Sequence, residues 1–221
     1  MNILYYHPLC AKSRFARVML GETNIPFHGK IEEFWNLRDN LIKLNPAQEL
    51  PILVYEQNSI IGILPIIEFL SDLQDKSYFY GASLIEKAET RRLVDWCIGK
   101  FYHEVLAHIV SQKLLIFYDN SKYTDSNLLR HAKNNAKFHL KYFNYLIKTR
   151  GFLSGDKITV ADFGVASLIS ILDYLNDINW IEYRELKIWY SILKSRPSFK
   201  PLLDDVIAGF IPSSQYKELD F

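Results

Sequence analysis

The chain of 221 residues predicts an α/β domain followed by an all-α domain. Three observations carry that expectation. A strand-like run, Ile3-Leu4-Tyr5-Tyr6, leads through His7-Pro8-Leu9-Cys10-Ala11-Lys12-Ser13-Arg14 into an apolar helix. Far downstream, Ile158-Thr159-Val160-Ala161-Asp162-Phe163 reads as a helix start set inside apolar sequence. Between the two, near residues 74–83, short mixed segments give way to long helices only.

Bulk composition narrows the function classes. Apolar residues make up 49% and charged residues 23%, so the chain is globular and long enough for a sizeable core. A net charge of +1, with both signs interspersed, lacks the footprint of a nucleic-acid or acidic-membrane binder. Two cysteines make no disulfide framework. The start MNILYYHPL has no basic segment leading into an apolar signal stretch, and no run of about 18 apolar residues occurs. A cytoplasmic protein with reduced thiols is expected.

Residues 2–6 read as a strand and 13–23 as a helix, with Phe15, Val18, Met19 and Thr23 at helical spacing. Glu32–Leu44, closed by Asn45-Pro46, reads as a second helix, since the residue before proline leaves the α region. Pro51–Tyr55 and Ser59–Ile61 read as strands joined at Gln57-Asn58 in a hairpin. Pro65–Leu73 is the third helix, with proline tolerated in its first turn. Strand, helix, strand, helix, strand, strand, helix is a thioredoxin-like order.

The domains are expected at 1–76 and 84–205, with a tail at 206–221. Long helices are expected at 84–118, 125–150, 160–175 and 184–195. A stripe of Trp96, Phe101, Tyr102 and Val105 reads as core or dimer packing. The helical histidines His103, His108, His131 and His139 show no metal-ligand pattern, so no metal is expected. The tail interleaves Phe210, Ile211, Tyr216, Leu219 and Phe221 with Pro212, Glu218 and Asp220. A frayed terminus is usually polar, so this one is expected to dock onto something.

These motifs are similar to those of the glutathione S-transferase (GST) superfamily from end to end, which implies the GST fold. Leu50-Pro51-Ile52-Leu53 resembles the family's stretch ending in a cis-proline, where the residue before the proline pairs its backbone with the glutathione cysteine. Ile158–Phe163 resembles its helix-start box: Thr159 caps, Asp162 returns a hydrogen bond, and Ile158 and Phe163 staple. A narrower resemblance joins Ser213–Phe221, following Lys194–Phe199, with His7–Cys10, Trp35 and Leu93–Trp96. It points to the alphaproteobacterial, FtsZ-binding branch called FzlA-like, and implies a homodimer that attaches to FtsZ filaments through its tail. Glu218 stands where that branch has aspartate, with the charge kept.

The resemblance also implies site residues. Cys10 opens a C-x-x-S turn with Ser13, where a helix N-terminus favours a thiolate. One thiol suits mixed disulfides with glutathione; the other reading is a half-buried small residue without a task. Tyr6 is a candidate to activate a thiol, and strand alternation turns one of Tyr5 and Tyr6 into the core. His7 either orients a thiol or is plain surface.

Glutathione binders begin their last thioredoxin-domain helix with an acid or amide followed by serine, which receive the γ-glutamyl carboxylate. Here Gly62 and Ile63 hold those places. The lost bond to a charged group is worth about 1.5–3 kcal/mol, leaving Lys12 or Arg14 to compensate. Trp35 is either packing, a lid, or part of a binding face. Tyr216, Glu218, Leu219, Asp220 and Phe221 either meet a partner or cover a groove of their own chain. The favoured expectation is an FzlA-type binding protein with a degraded glutathione site and no cofactor. The alternative is a transferase or thiol transferase using Cys10, with glutathione as cosubstrate at Leu50, Pro51, Gly62 and Ile63.

Overall fold

The computed structural model describes residues 1–115, 117 and 123–219. Asp220 and Phe221 lie outside the described residues. Strand β1 (Ile3–Tyr6) is central in a sheet of order β2-β1-β3-β4. It pairs in parallel with β2 (His28–Ile31) and antiparallel to β3 (Ile52–Tyr55), which pairs antiparallel to β4 (Asn58–Ile61). The hairpin turns on Glu56 and Gln57, both at positive φ, as the twist of a two-residue hairpin requires.

The segment after helix α1 (Ala11–Glu22) corrects the sequence reading. Helix α2 spans only Asp39–Leu44, and β2 precedes it. All four β2 residues are exposed, so no apolar alternation marks them as a strand. Gly29 suits this place because a Cβ there would stand 2.8 Å from the Tyr6 ring. Residues 32–38 cannot join the helix. The Glu32 N–H donates to Tyr6 O at 2.9 Å, extending the sheet, and the Glu32 carboxylate takes the Arg38 guanidinium.

Helices α1 and α3 (Ile63–Leu73) bury the sheet face that carries Leu4 and Leu53. On the other face Leu41 of α2 joins Leu50, Ile52 and Cys10 in a small separate cluster. Beyond the short turn Ser77–Tyr80, helix α4 (Leu84–Asp95) starts on a reciprocal Ser83–Glu86 cap. The same rod continues with looser, π-type winding through Trp96–Leu106, then α5 (Ala107–Val110) and Ser111–Leu115. Helices α6 (Ser126–Arg150), α7 (Val160–Tyr174), α8 (Arg184–Lys194) and α9 (Lys200–Leu203) complete the helical half.

Every residue of α7 is buried, which its all-round apolar sequence allows. It packs on α1 so closely that a Cβ at Gly164 would stand 2.9 Å from Phe15. One apolar core therefore runs from the sheet into the helices. Asp162 returns the expected bond to the Thr159 N–H at 2.8 Å. It also accepts from the Thr159 hydroxyl (2.9 Å), the Leu153 N–H (3.0 Å) and the Trp189 indole N–H (2.9 Å). Among the described residues no helix is long and apolar enough to cross a membrane.

Candidate functional site

Cys10 is the N-cap of α1, and its turn closes through Cys10 N–H to His7 O at 3.0 Å. The thiol is 8% exposed and donates to Leu50 O at 3.5 Å. Burial pushes its pKa up, against smaller opposing effects of Ser13 and Lys12. Of the two readings of Cys10, burial favours the half-buried small residue over a thiolate, because desolvation of the charged form outweighs the helix terminus. Ser13 is fully buried, and its hydroxyl lies 3.5 Å from the His7 N–H.

Leu50 and Pro51 are joined by a cis peptide bond and border a cleft of about 230 Å³ between the sheet domain and the rod. Gly62, at φ 87°, caps α3 there, and Ile63 lines the cleft with its apolar side chain buried. Pro65 supplies no N–H to that helix end. The two cations left to compensate are both engaged. Lys12 Nζ is 2.9 Å from Glu49 Oε2, and Arg14 is buried and turned away from the cleft toward the tail.

Tyr6 does not reach Cys10. It shares a sheet face with Leu4, and its ring lies 4.6 Å under the Arg17 guanidinium, whereas Cys10 clusters on the face of Tyr5. A second tyrosine, Tyr102 of the rod, lies beside Lys12 of this turn. Lys12 Nζ sits 4.9 Å over its ring, and burial, with smaller contributions from Cys10 and Glu49, pushes its phenol pKa up. Of the aromatic stripe, Phe101 and Val105 are core, while Trp96 donates to His139 Nδ1 at 3.0 Å. Only its place one residue off the Phe101–Val105 face could have singled Tyr102 out.

Trp35 is half-buried and meets His7 edge-on at 5.0 Å and Phe34 at 4.8 Å. His7 Nδ1 accepts the Leu9 N–H at 3.1 Å, which leaves the ring proton on Nε2. Burial lowers the His7 pKa to about 4, from the 6.5 of an exposed imidazole in the unfolded chain. Stability is therefore full above the unfolded value and falls as pH drops toward the folded one. The unfolding free energy is expected to be lower by about 2 kcal/mol at about pH 5 than at about pH 7.5. Urea titrations of wild type and His7→Asn check this; an equal pH slope in the variant would assign the loss elsewhere.

The tail is docked on its own chain, so of the two readings of Tyr216, partner contact or self-docking, the structure has the second. Tyr216 is fully buried. Its hydroxyl accepts from Arg14 Nη1 at 2.7 Å and donates to Leu202 O at 2.9 Å, and its ring meets Tyr174 at 5.0 Å. Arg14 in turn donates to Pro8 O, in the Cys10 turn, at 2.6 Å and to Ser170 Oγ at 2.9 Å. The buried Lys194 ammonium holds the carbonyls of Gln215 (3.2 Å) and Glu218 (2.7 Å). Glu218 remains exposed, and Leu219, 44% exposed, borders a groove of about 680 Å³ with Arg184, Lys187, Ile188 and Ile192 of α8.

The α/β half with its Cys10 turn and cis Leu50–Pro51 bond, joined to this helical half, defines a glutathione-transferase fold, and sequence comparison agrees. Residues 108–205 match the family model described as "Glutathione S-transferase, C-terminal domain". The chain belongs to the glutathione S-transferase superfamily, in its FzlA-like branch. It is 33% identical to FtsZ-localized protein A of Caulobacter vibrioides, over 99% of this chain and 97% of that protein. The structure of FzlA from C. crescentus superposes with a TM-score of 0.94 at 32% identity, covering 100% of this chain and 99% of the other. A glutathione S-transferase from Rhodospirillum rubrum superposes equally well, with a TM-score of 0.94, 36% identity and full coverage of both chains.

Proposed function

We propose that this protein is a GST-fold binding platform that engages FtsZ filaments in cell division, as a cytoplasmic homodimer with a degraded glutathione site. The observation that carries the reading is full-length identity of 33% to a protein named for its localisation with FtsZ. The cleft supports it: a buried, protonated thiol, an apolar Ile63, and cations already paired favour binding over glutathione-dependent transfer. Exposed Leu84 and Ile85, side by side in the first turn of α4, support self-association.

The exposed end of the tail and the flank of α8 are the contact surface in this reading, with Trp35 as a second contact. Leu219 and Ile188 offer apolar area, and Arg184 and Lys187 offer charge. Co-sedimentation with assembled FtsZ tests it. The wild-type chain is expected to pellet with polymers. Leu219→Asp and Trp35→Ala are expected to weaken binding by tenfold or more, with Leu219→Asp keeping its melting temperature. Wild-type pelleting by both variants would defeat the surface assignment, and no pelleting of the wild type would defeat the function.

A further inference from the structure

The exposed face of α6 carries charge of one sign. The helix spans Ser126–Arg150 and holds six lysines and arginines and no Asp or Glu, although the whole chain has nearly as many acids (25) as bases (26). Arg130, Lys137, Lys141 and Lys148 are spaced seven, four and seven positions apart, which sets them in one line along the helix, about 27 Å from end to end. All four are exposed. Beside that line Phe138 and Tyr145, again seven apart, are 58% and 61% exposed.

A solvated helix face normally interleaves both signs. Here Lys133, Lys137 and Lys141 follow one another at i,i+4, a like-charge spacing that destabilises a helix. Lys133 is relieved by Asp177 at 3.0 Å. Among the described residues Lys137, Lys141 and Lys148 pair with no carboxylate, and Arg130 donates to the Asn127 amide oxygen at 3.0 Å. The acids on either flank are already engaged. Asp177 also holds Lys113 at 2.7 Å, and Glu182, which borders a hollow with Lys137, accepts from the Asn179 amide at 2.8 Å. On the other flank Glu104 of the rod holds Lys100 and His139.

We propose that this face binds an acidic amphipathic helix of a partner protein, with its carboxylates on the cation line and its apolar side chains against Phe138 and Tyr145. Charge complementarity selects the acids. The seven-residue repeat of both rows selects a helix, since an extended strand presents side chains on one face at every second residue. The line is narrow and bordered by carboxylates, so a flat anionic membrane or a nucleic-acid duplex would meet those acids as well. This face shares no residue with the Leu219 groove and stands apart from the FtsZ contact.

The test is fluorescence anisotropy of the full chain with a labelled helical peptide of about 20 residues, matched to the cation line. The peptide carries Glu at the same seven-four-seven spacing and Leu in the adjoining row, and a second peptide with Lys for Glu is the control. Saturable binding of the acidic peptide is expected at about 0.1 M salt, and none of the basic one. Lys137→Glu/Lys141→Glu should weaken it about tenfold or more, and Phe138→Ala about threefold. Leu219→Asp should leave it unchanged, and Lys43→Glu/Lys200→Glu, the same change of net charge elsewhere on the surface, should hold it within about twofold. Should Lys137→Glu/Lys141→Glu fail to fold, Lys137→Gln/Lys141→Gln decides. No saturable binding, equal losses in the two charge-reversed proteins, or tighter binding of phosphatidylglycerol vesicles or duplex DNA than of the peptide would overturn the proposal. Unchanged binding by Phe138→Ala would overturn the role of the aromatic row.

Discussion

Replacing Tyr216 by alanine is expected to lower stability by about 4 kcal/mol, and the melting temperature by about 8–16 °C. The loss has two parts. A fully buried aromatic ring, packed at 5.0 Å on Tyr174, is removed from the core. The Arg14 guanidinium, whose Nη2 makes no hydrogen bond and stands 3.7 Å from Asp205 Oδ2, then also loses its 2.7 Å bond to the phenol. Tyr216→Phe keeps the ring and loses only the hydrogen bonds, one of them to a charged group, and should cost about 2 kcal/mol. Differential scanning calorimetry of the three proteins decides. Alanine and phenylalanine variants melting within a degree of wild type would mean that the tail is not anchored by this residue.

The consequence reaches the partner test. Deleting the tail from Tyr216 onward would combine loss of a contact surface with loss of core, so a binding defect in such a truncation is ambiguous. Point changes at Leu219, which is exposed, avoid that confusion. Arg14 also holds Pro8 O in the Cys10 turn, so undocking Tyr216 removes one support of the cleft as well.

Asp162→Ala is expected to be about as costly, on the order of 4 kcal/mol by guanidinium denaturation. The carboxylate is fully buried and gathers donors from three separate places: the Leu153 loop, the start of α7, and Trp189 of α8. Removing it strands two backbone N–H groups and an indole N–H in the core. Burial raises the Asp162 pKa while its hydrogen bonds lower it. Asp162→Asn, which retains the shape and one carbonyl acceptor, should therefore lose roughly half as much. A loss below about 1 kcal/mol in the alanine variant would show that the three elements are held by apolar packing alone.

Much of the architecture was legible from local chemistry. The β3–β4 hairpin, the Thr159–Asp162 helix start and the long helices each rest on residues within a few positions of one another. Strand β2 was not legible, because all four of its residues are exposed and its strand character comes from the ladder to β1. The site divided the same way. Ile63 is apolar whatever surrounds it, so the loss of a hydroxyl at that helix start could be read directly. The protonation of Cys10 could not, since it depends on how far the turn is buried.

The sequence by itself determined the order of elements apart from β2, the two domains' secondary-structure types, and the residues at the start of α3, because periodicity, capping and turn chemistry act over a few residues. Only the tertiary structure decided that Tyr6 lies on the sheet face away from Cys10, and that Tyr216 is core and not surface. The second follows from a bond between Arg14 and Tyr216, 202 positions apart. Burial and long-range pairing arise when the helical half closes on α1, and no local pattern in either segment carries that information.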